Sequence, residues 1–480
     1  MVYTECGLYS VISKHEIYSD DIMFGLENLQ HRGRESFGIS FVEDEKINIV
    51  KKIGLVKPIM GLKHCSSNSW LGHVRYSTSG AKCDGNEMSF MNICQPITYY
   101  SPILGAYSIA HNGNIPIHVF TNVAKLYKQF KIRHPIPSDT IILQDLIEHL
   151  AFLANKKVKS LTNKTFLDEI WRNVLTSLMN IIPGACCMLI QTPTSLWIFR
   201  DRYGLKPLTI KKDVNQVRIA SESVAFRDIN EIVDVGAGEI LKIDNSTLDI
   251  ETVTRITNNK VKTCAFEHLY FLRPNTVINN LSIENFRVQI GKKLEDQIKK
   301  TNSNLLETMK SENAIVCGVP TSGIVYGKGF SQSVGLEYIQ FLNKRSDYPW
   351  RTFILESNDK RIKACQEKYV LDTKKIENKS IIIVDDSIVR GNTLRYLIKY
   401  IKMSTQVRSI HIISGTPPIK HPCLYGVDFP DIEELFANNI QVKDMPKHLD
   451  VDSVSYLNIE TLHAVKDNIC DACFTGKYLF

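Results

Sequence analysis

The sequence predicts two domains of different class: an α+β half, then an α/β half built on a parallel sheet. Three observations carry this. Residues 1 to about 250 read as short strands punctuated by glycine turns, with helical periodicity between them. Ser380-Ile381-Ile382-Ile383-Val384 is an uninterrupted apolar run with β-branched bias, the pattern of a buried parallel strand. Between the two textures, Asp244 to Lys262 is polar and carries no sustained apolar period. It predicts a linker or domain crossing and places the boundary at residue 250.

In chain order, strands are expected at Gly7 to Ile12, Gly38 to Val42 and Ser195 to Phe199. Ile141 to Leu153 repeats apolar residues at helical spacing, and the lysine- and asparagine-rich Ala154 to Lys164 reads as a surface loop. Ala314 to Val319 is a strand that switches to loop at Pro320-Thr321-Ser322-Gly323. Beyond Val384 the chain passes Asp385-Asp386-Ser387 and Gly391. It then enters a helix with Leu394, Leu397, Ile398 and Ile401 on one face. Ser409 to Ser414 is the next strand, which completes a βαβ unit. Loops at the carboxyl ends of parallel strands are where such sheets bind ligands.

Composition narrows the function classes. At roughly 100–200 residues per domain, the length allows two to four domains. With 44% hydrophobic and 23% charged residues, wholesale disorder is excluded. The 58 Lys and Arg against 51 Asp and Glu leave a net charge of +7, spread along the chain. That pattern is compatible with a small anionic substrate and gives no nucleic-acid footprint. The first residues lack a basic region followed by an apolar stretch, so no signal peptide is expected. The most apolar segment, Ile181 to Phe199, is broken by Pro183, Gly184, Gln191 and Pro193, so no spanning helix is expected. Twelve cysteines are too few for a disulfide scaffold. The expectation is a cytoplasmic, soluble, reduced protein whose cysteines serve as core, catalyst or metal ligand.

Two places carry chemistry. The string Val384 to Thr393 sets adjacent carboxylates, Asp385 and Asp386, at the end of a buried strand, suited to ribose hydroxyls directly or through Mg²⁺. The segment after them opens a helix and offers backbone N–H groups and hydroxyls to a phosphate. Near the other end, Cys6 would become residue one if Met1–Glu5 were removed. Nucleophile and base would then share one residue, because an α-amino group with a pKa of about 8 can take the thiol proton.

The Val384–Thr393 string resembles the phosphoribosyl-diphosphate (PRPP) binding loop of type I phosphoribosyltransferases. Cys6 is followed by Leu29-Gln30-His31-Arg32-Gly33, Gly72-His73-Val74-Arg75-Tyr76-Ser77-Thr78, Ala110-His111-Asn112-Gly113-Asn114 and Ser138-Asp139-Thr140. These resemble, in order, the glutaminase domain of class II amidotransferases, an Ntn-hydrolase fold with an αββα sandwich. That resemblance implies Cys6 as nucleophile, with the Asn112 side chain and Gly113 N–H as oxyanion hole. It also implies Arg32 and Arg75 at the glutamine site, with Asp139 accepting the α-ammonium. The motifs Arg200 to Leu208, Ala220-Ser221-Glu222-Ser223, Phe266 to Pro274, Arg351 to Ile354 and Tyr425 to Asp428 extend the likeness. From Cys6 to nearly Phe480 the chain resembles the amidophosphoribosyltransferase family.

That family would hydrolyse glutamine at Cys6 and pass ammonia inside the protein to C1 of PRPP, in the first committed step of de novo purine synthesis. Ser322, Asp385 and Asp386 would hold Mg²⁺. Ser387, Val389, Arg390, Gly391, Asn392 and Thr393 would cradle the 5′-phosphate, and Arg273, Arg351 and Lys368 are candidate cations for the pyrophosphate. Cys470-Asp471-Ala472-Cys473 is by itself compatible with a redox pair or a zinc half-site. With Cys264 and Cys423 it resembles the iron–sulfur-containing branch, which implies a 4Fe–4S cluster on those four thiolates, zinc being the alternative. The family also implies a homotetramer inhibited by purine nucleotides.

The sequence departs from the family pattern at Thr321, where an acidic residue is usual, and at Asp347, Pro349 and Trp350 in the loop expected to close over PRPP. Lys206, Arg34 and Phe37 are further substitutions. These departures keep open a second reading, a PRPP- or nucleotide-binding regulator without turnover.

Overall fold

The computed structural model describes residues 6–76, 91–115, 138–156, 163–182, 184–256, 261–345, 366–427, 429 and 431–479. Met1–Glu5, Asp347, Pro349, Trp350, Arg351 and Asp428 lie outside them.

Strand β1 (Gly7–Tyr18) runs through the middle of a seven-stranded antiparallel sheet. Helix α1 (Asp20–Asn28) covers its outer face with Ile22, Met23 and Leu26. Strand β2 (Ser36–Glu43) pairs with β3 (Ser66–Arg75), which pairs with β1. A second antiparallel sheet of six strands contains β4 (Gly105–Asn114). Its outer face is covered by α2 (Asp139–Asn155) and α3 (Asn163–Ile181). Beside β4 lies β5 (Ala185–Gln191), with Asn112 opposite Cys187 and Gly113 opposite Cys186. The inner faces meet through Leu8, Ile12 and Leu71 against Ala110, Leu189 and Ile198, all fully buried. Helix, sheet, sheet, helix is the αββα sandwich that the resemblance implies.

The boundary differs from the sequence reading. Strand β6 (Glu239–Asp244) turns into β7 (Ile250–Arg255), the edge strand of the second sheet, so the sandwich runs past residue 250. An edge strand packs on one side and faces water on the other. Its outward Glu251, Thr252 and Arg255 therefore mask the apolar period that marks an inner strand.

In the second half, β8 (Ile315–Gly318), β9 (Ser380–Asp385), β10 (Ser409–Ser414) and β11 (Ser453–Tyr456) form a four-stranded parallel sheet. Alternation along β9 explains its unbroken apolar run. Ile381 and Ile383 face α4 (Asn392–Ser404), which buries Leu394, Leu397, Ile398 and Ile401. Ile382 and Val384 face the other way, toward the helices Ile283–Thr301 and Gly323–Val334. Among the described residues, no helix is long and apolar enough to cross a membrane.

Candidate functional site

A cavity of about 800 Å³ opens at the carboxyl end of the parallel sheet. The loop after β9 lines it from Asp385 through Ser387, Val389, Arg390, Gly391, Asn392 and Thr393, and the loop after β8 adds Thr321 and Ser322. Gly391 has φ +72 and faces the Phe436 ring, 3.2 Å from where a Cβ would sit. That left-handed residue lets the loop turn directly into α4, presenting the helix N-terminus to the cavity. The Asp386 carboxylate accepts hydrogen bonds from Ser322 and, at 2.7 Å, from Ser387. Burial, and then the neighbouring Asp386 charge, push the Asp385 carboxyl well above the usual carboxylate range. Such a pair gains from a cation that neutralises both. Lys368 and Arg273 line the same cavity, whereas the Arg390 guanidinium is held by Glu434 at 2.6 Å. Arg351 is outside the described residues.

The second group lies at the start of β1. The Cys6 thiol donates to the Tyr76 carbonyl at 3.5 Å, and burial pushes it up to about 11 although Arg75 pulls the other way. At neutral pH it therefore carries its proton and needs a base. Asn112, on β4, is 1% exposed, and its Nδ2 has no hydrogen-bond partner among the described residues. A buried amide donor left unpaired costs about 1–3 kcal/mol, and beside Cys6 such a donor is free to receive an acceptor brought by a ligand. Asp139 begins α2 and stands 3.7 Å from His111 Nδ1, while Arg75 Nη1 meets Glu35 at 3.0 Å. Ser77 and Thr78 lie outside the described residues.

Arg32 lies directly behind Cys6. Its guanidinium is buried between Glu222, at 2.6 Å, and Glu267, at 2.8 Å, and its Nε donates to the Cys6 carbonyl at 3.0 Å. Two buried carboxylates hold the charge, and Arg32 braces the nucleophile's backbone. Glu222 is the hub. Its Oε1 also meets His31 Nε2 at 2.7 Å, and its Oε2 accepts from the Arg273 N–H at 2.9 Å and Thr276 Oγ1 at 2.8 Å. Arg273 Nε in turn lies 3.1 Å from His31 Nδ1, and both residues line the large cavity. Glu222 and Glu267 both lie in motifs that extend the family likeness, and the sequence alone assigns neither a role. The available signal was a carboxylate inside an apolar segment, Phe266 to Phe271, which demands a buried cation.

The remaining cysteines converge. Cys264 and Cys470 are opposite each other on a short parallel bridge, and with Cys423 and Cys473 they line one small cavity. Burial, then mutual repulsion among the thiols, raises Cys473 well above the ordinary thiol value, and Cys470 is pushed up to about 12 by burial. Two thiols so raised, with Cys264 and Cys423 lining the same cavity, suit a positively charged centre that would draw off protons. Among the described residues, no three His, Cys, Asp or Glu side chains are grouped as ligands of a single metal ion.

The geometry can be set beside known proteins. A phosphoribosyl transferase domain model matches residues 287–427. The amidophosphoribosyltransferase of Methanocaldococcus jannaschii is 32% identical over 98% of this chain and 97% of its own length. The Bacillus subtilis amidophosphoribosyltransferase is 30% identical over 99% of this chain and 94% of its own. A solved structure of glutamine PRPP amidotransferase from B. subtilis, in complex with ADP and GMP, has a TM-score of 0.80 at 29% identity, covering 99% of this chain and 97% of that one. A structure described as the allosteric regulatory enzyme of purine biosynthesis gives 0.81 at 30% identity, covering 99% of this chain and 96% of that one. With full-length likeness in sequence and in fold, the chain belongs to the amidophosphoribosyltransferase family.

Proposed function

We propose that the chain is a working amidophosphoribosyltransferase, a pentosyltransferase that makes 5-phospho-β-D-ribosylamine, glutamate and diphosphate from glutamine, PRPP and water, opening de novo purine biosynthesis. The observation that carries this is the pairing of two sites across one buried carboxylate: Glu222 is bonded to Arg32 behind Cys6 and to Arg273 beside the Asp385–Thr393 loop. A regulator without turnover would have no use for an unpaired amide poised as Asn112 is.

Removal of Met1–Glu5 would leave the Cys6 α-amino group as base for a thiol that is otherwise protonated. The sulfur attacks the glutamine amide carbon. Asn112 Nδ2 and the Gly113 N–H receive the oxyanion, ammonia leaves, and water releases glutamate from the thioester. Arg75 and Asp139 fit the α-carboxylate and α-ammonium. At the second site ammonia displaces diphosphate from C1, and the loop from Ser387 to Thr393 holds the 5′-phosphate while Lys368 and Arg273 meet the leaving charge. Mg²⁺ on Asp385 and Asp386, with Ser322 adjacent, would neutralise phosphate charge there. The thiols of Cys264, Cys423, Cys470 and Cys473 fit a 4Fe–4S cluster, which would supply cross-links between the chain's end and the segment at Cys264. Purine nucleotides as inhibitors, and a homotetramer, extend the same reading; the ADP and GMP in the B. subtilis relative support the first.

Glutamate release by anaerobically purified protein, with and without PRPP and Mg²⁺, tests the activity. PRPP-dependent release of glutamate and diphosphate, abolished by Cys6→Ser, is expected. No release from protein whose mature N-terminus is Cys6 would return the case to the regulator. Iron and acid-labile sulfide at about four each per chain would support the cluster, and zinc without visible absorbance would refute it.

A further inference from the structure

Asn112 is buried with its amide nitrogen unpaired among the described residues, so the end of β4 must be held in place by its surroundings. One side is β5, where a Cβ on Gly113 would fall 1.9 Å from the Ala185 carbonyl oxygen. The other side is not part of the sandwich. Gly426 lies so close that a Cβ on it would be 3.1 Å from Asn114 Cβ and 3.2 Å from both Asn114 N and the Gly113 carbonyl carbon. Its φ of +99 is one that side chains rarely adopt. In addition, Asn114 Nδ2 donates to the Leu424 carbonyl at 3.3 Å.

The loop that makes these contacts is itself pinned. The Tyr425 N–H donates to Cys423 Sγ at 3.3 Å, and Tyr425 Oη accepts from the Leu479 N–H at 2.5 Å. Tyr425 also packs with Ala185, Cys470 and Ala472 in one buried cluster.

We propose that Asn114 and Gly426 are positioning residues for the glutaminase half-reaction, through which the Cys423–Gly426 loop clamps Asn112 and Gly113 in oxyanion-binding geometry. The clamp reaches from the phosphoribosyltransferase half into the glutaminase site, and it acts whatever the four thiols hold. It rests on the amidotransferase reading above. Its consequence is specific. Disturbing the clamp weakens stabilisation of a tetrahedral oxyanion, leaves the Cys6 thiol reactive, and leaves pentosyl transfer from free ammonia untouched.

Two variants test it: Gly426→Ala, which forces the loop off Asn114, and the milder Asn114→Ala, which removes one hydrogen bond. Each is compared with the unsubstituted full-length chain using two probes of Cys6. A γ-aldehyde analogue of glutamine adds the thiol across its C=O bond, forming the S–C bond and passing the thiol proton to the oxygen, so its affinity reads the oxyanion site. Iodoacetamide alkylates the thiol with loss of iodide and makes no oxyanion. A misplacement of about 1 Å can cost about a hundredfold in rate. Aldehyde affinity and glutamine kcat are therefore expected to fall about tenfold or more, with the iodoacetamide rate and the ammonia-dependent activity within about twofold. Unchanged aldehyde affinity in both variants overturns the clamp, and so does a parallel fall in both probes. Ammonia-dependent synthesis by the unsubstituted chain tests the underlying reading separately, since its absence would overturn that reading without reference to the clamp.

Discussion

Glu222 shows how one buried side chain can serve two sites. It is fully buried, and burial alone would raise its carboxyl; His31 and Arg32, with the hydrogen bonds it accepts, outweigh that and hold it far below the usual carboxylate range. Removing one partner of a buried pair leaves the other uncompensated, so Glu222→Ala should destabilise the chain by about 3–5 kcal/mol in denaturant unfolding. The sign of the pH dependence follows. A carboxyl depressed in the folded state contributes stability above its unfolded pKa of about 4.3 and loses it as pH falls toward the folded value. The stability gap between the unsubstituted chain and Glu222→Gln should therefore be full at pH 7 and shrink below about pH 4. A gap that grows on acidification would contradict the assignment. Asn112→Ala should lower glutamine kcat by about 10²–10³ with KM little changed, because Nδ2 has no partner among the described residues to lose.

At the scale of elements, the junction of β9 with α4 carries the greatest constraint. Four apolar side chains anchor α4, and Gly391 lets the chain turn into it within a loop that must also face phosphate. Gly391→Ala adds a Cβ 3.2 Å from the Phe436 ring at positive φ, at a cost of about 1–3 kcal/mol. Its signature should be a raised KM for PRPP with glutamine hydrolysis less affected, measured by steady-state kinetics in both half-reactions. By contrast Leu397→Ala, on the buried face of α4, should cost about 2–5 kcal/mol in stability and act on both half-reactions only through the folded fraction. The sequence announced α4 by its spacing, and the structure buries the same four residues. It did not announce β7, because an edge strand's wet face removes the apolar alternation.

For the molecule as a whole, the two halves are joined by buried charge at Glu222, Arg32 and Glu267, and by the loop that carries Cys423. Exchanging Glu267 for Ala should therefore disturb Cys6 through Arg32, although Glu267 follows the sandwich in sequence. The expected result is a slower alkylation of Cys6, read by mass spectrometry. What the sequence by itself determined is what local order can encode. The unbroken run of β9, the helical face of α4, the acidic loop between them, and the order of the motifs around Cys6, Asn112 and Asp139 were all legible, because each lies in a few neighbouring residues. Only the tertiary structure decided that Arg32 serves the nucleophile's backbone, that Glu222 spans both sites, and that Gly426 rests on Asn114. Those contacts join residues far apart in the chain. A buried charge or a close backbone approach is defined by its partner, and no local pattern names that partner.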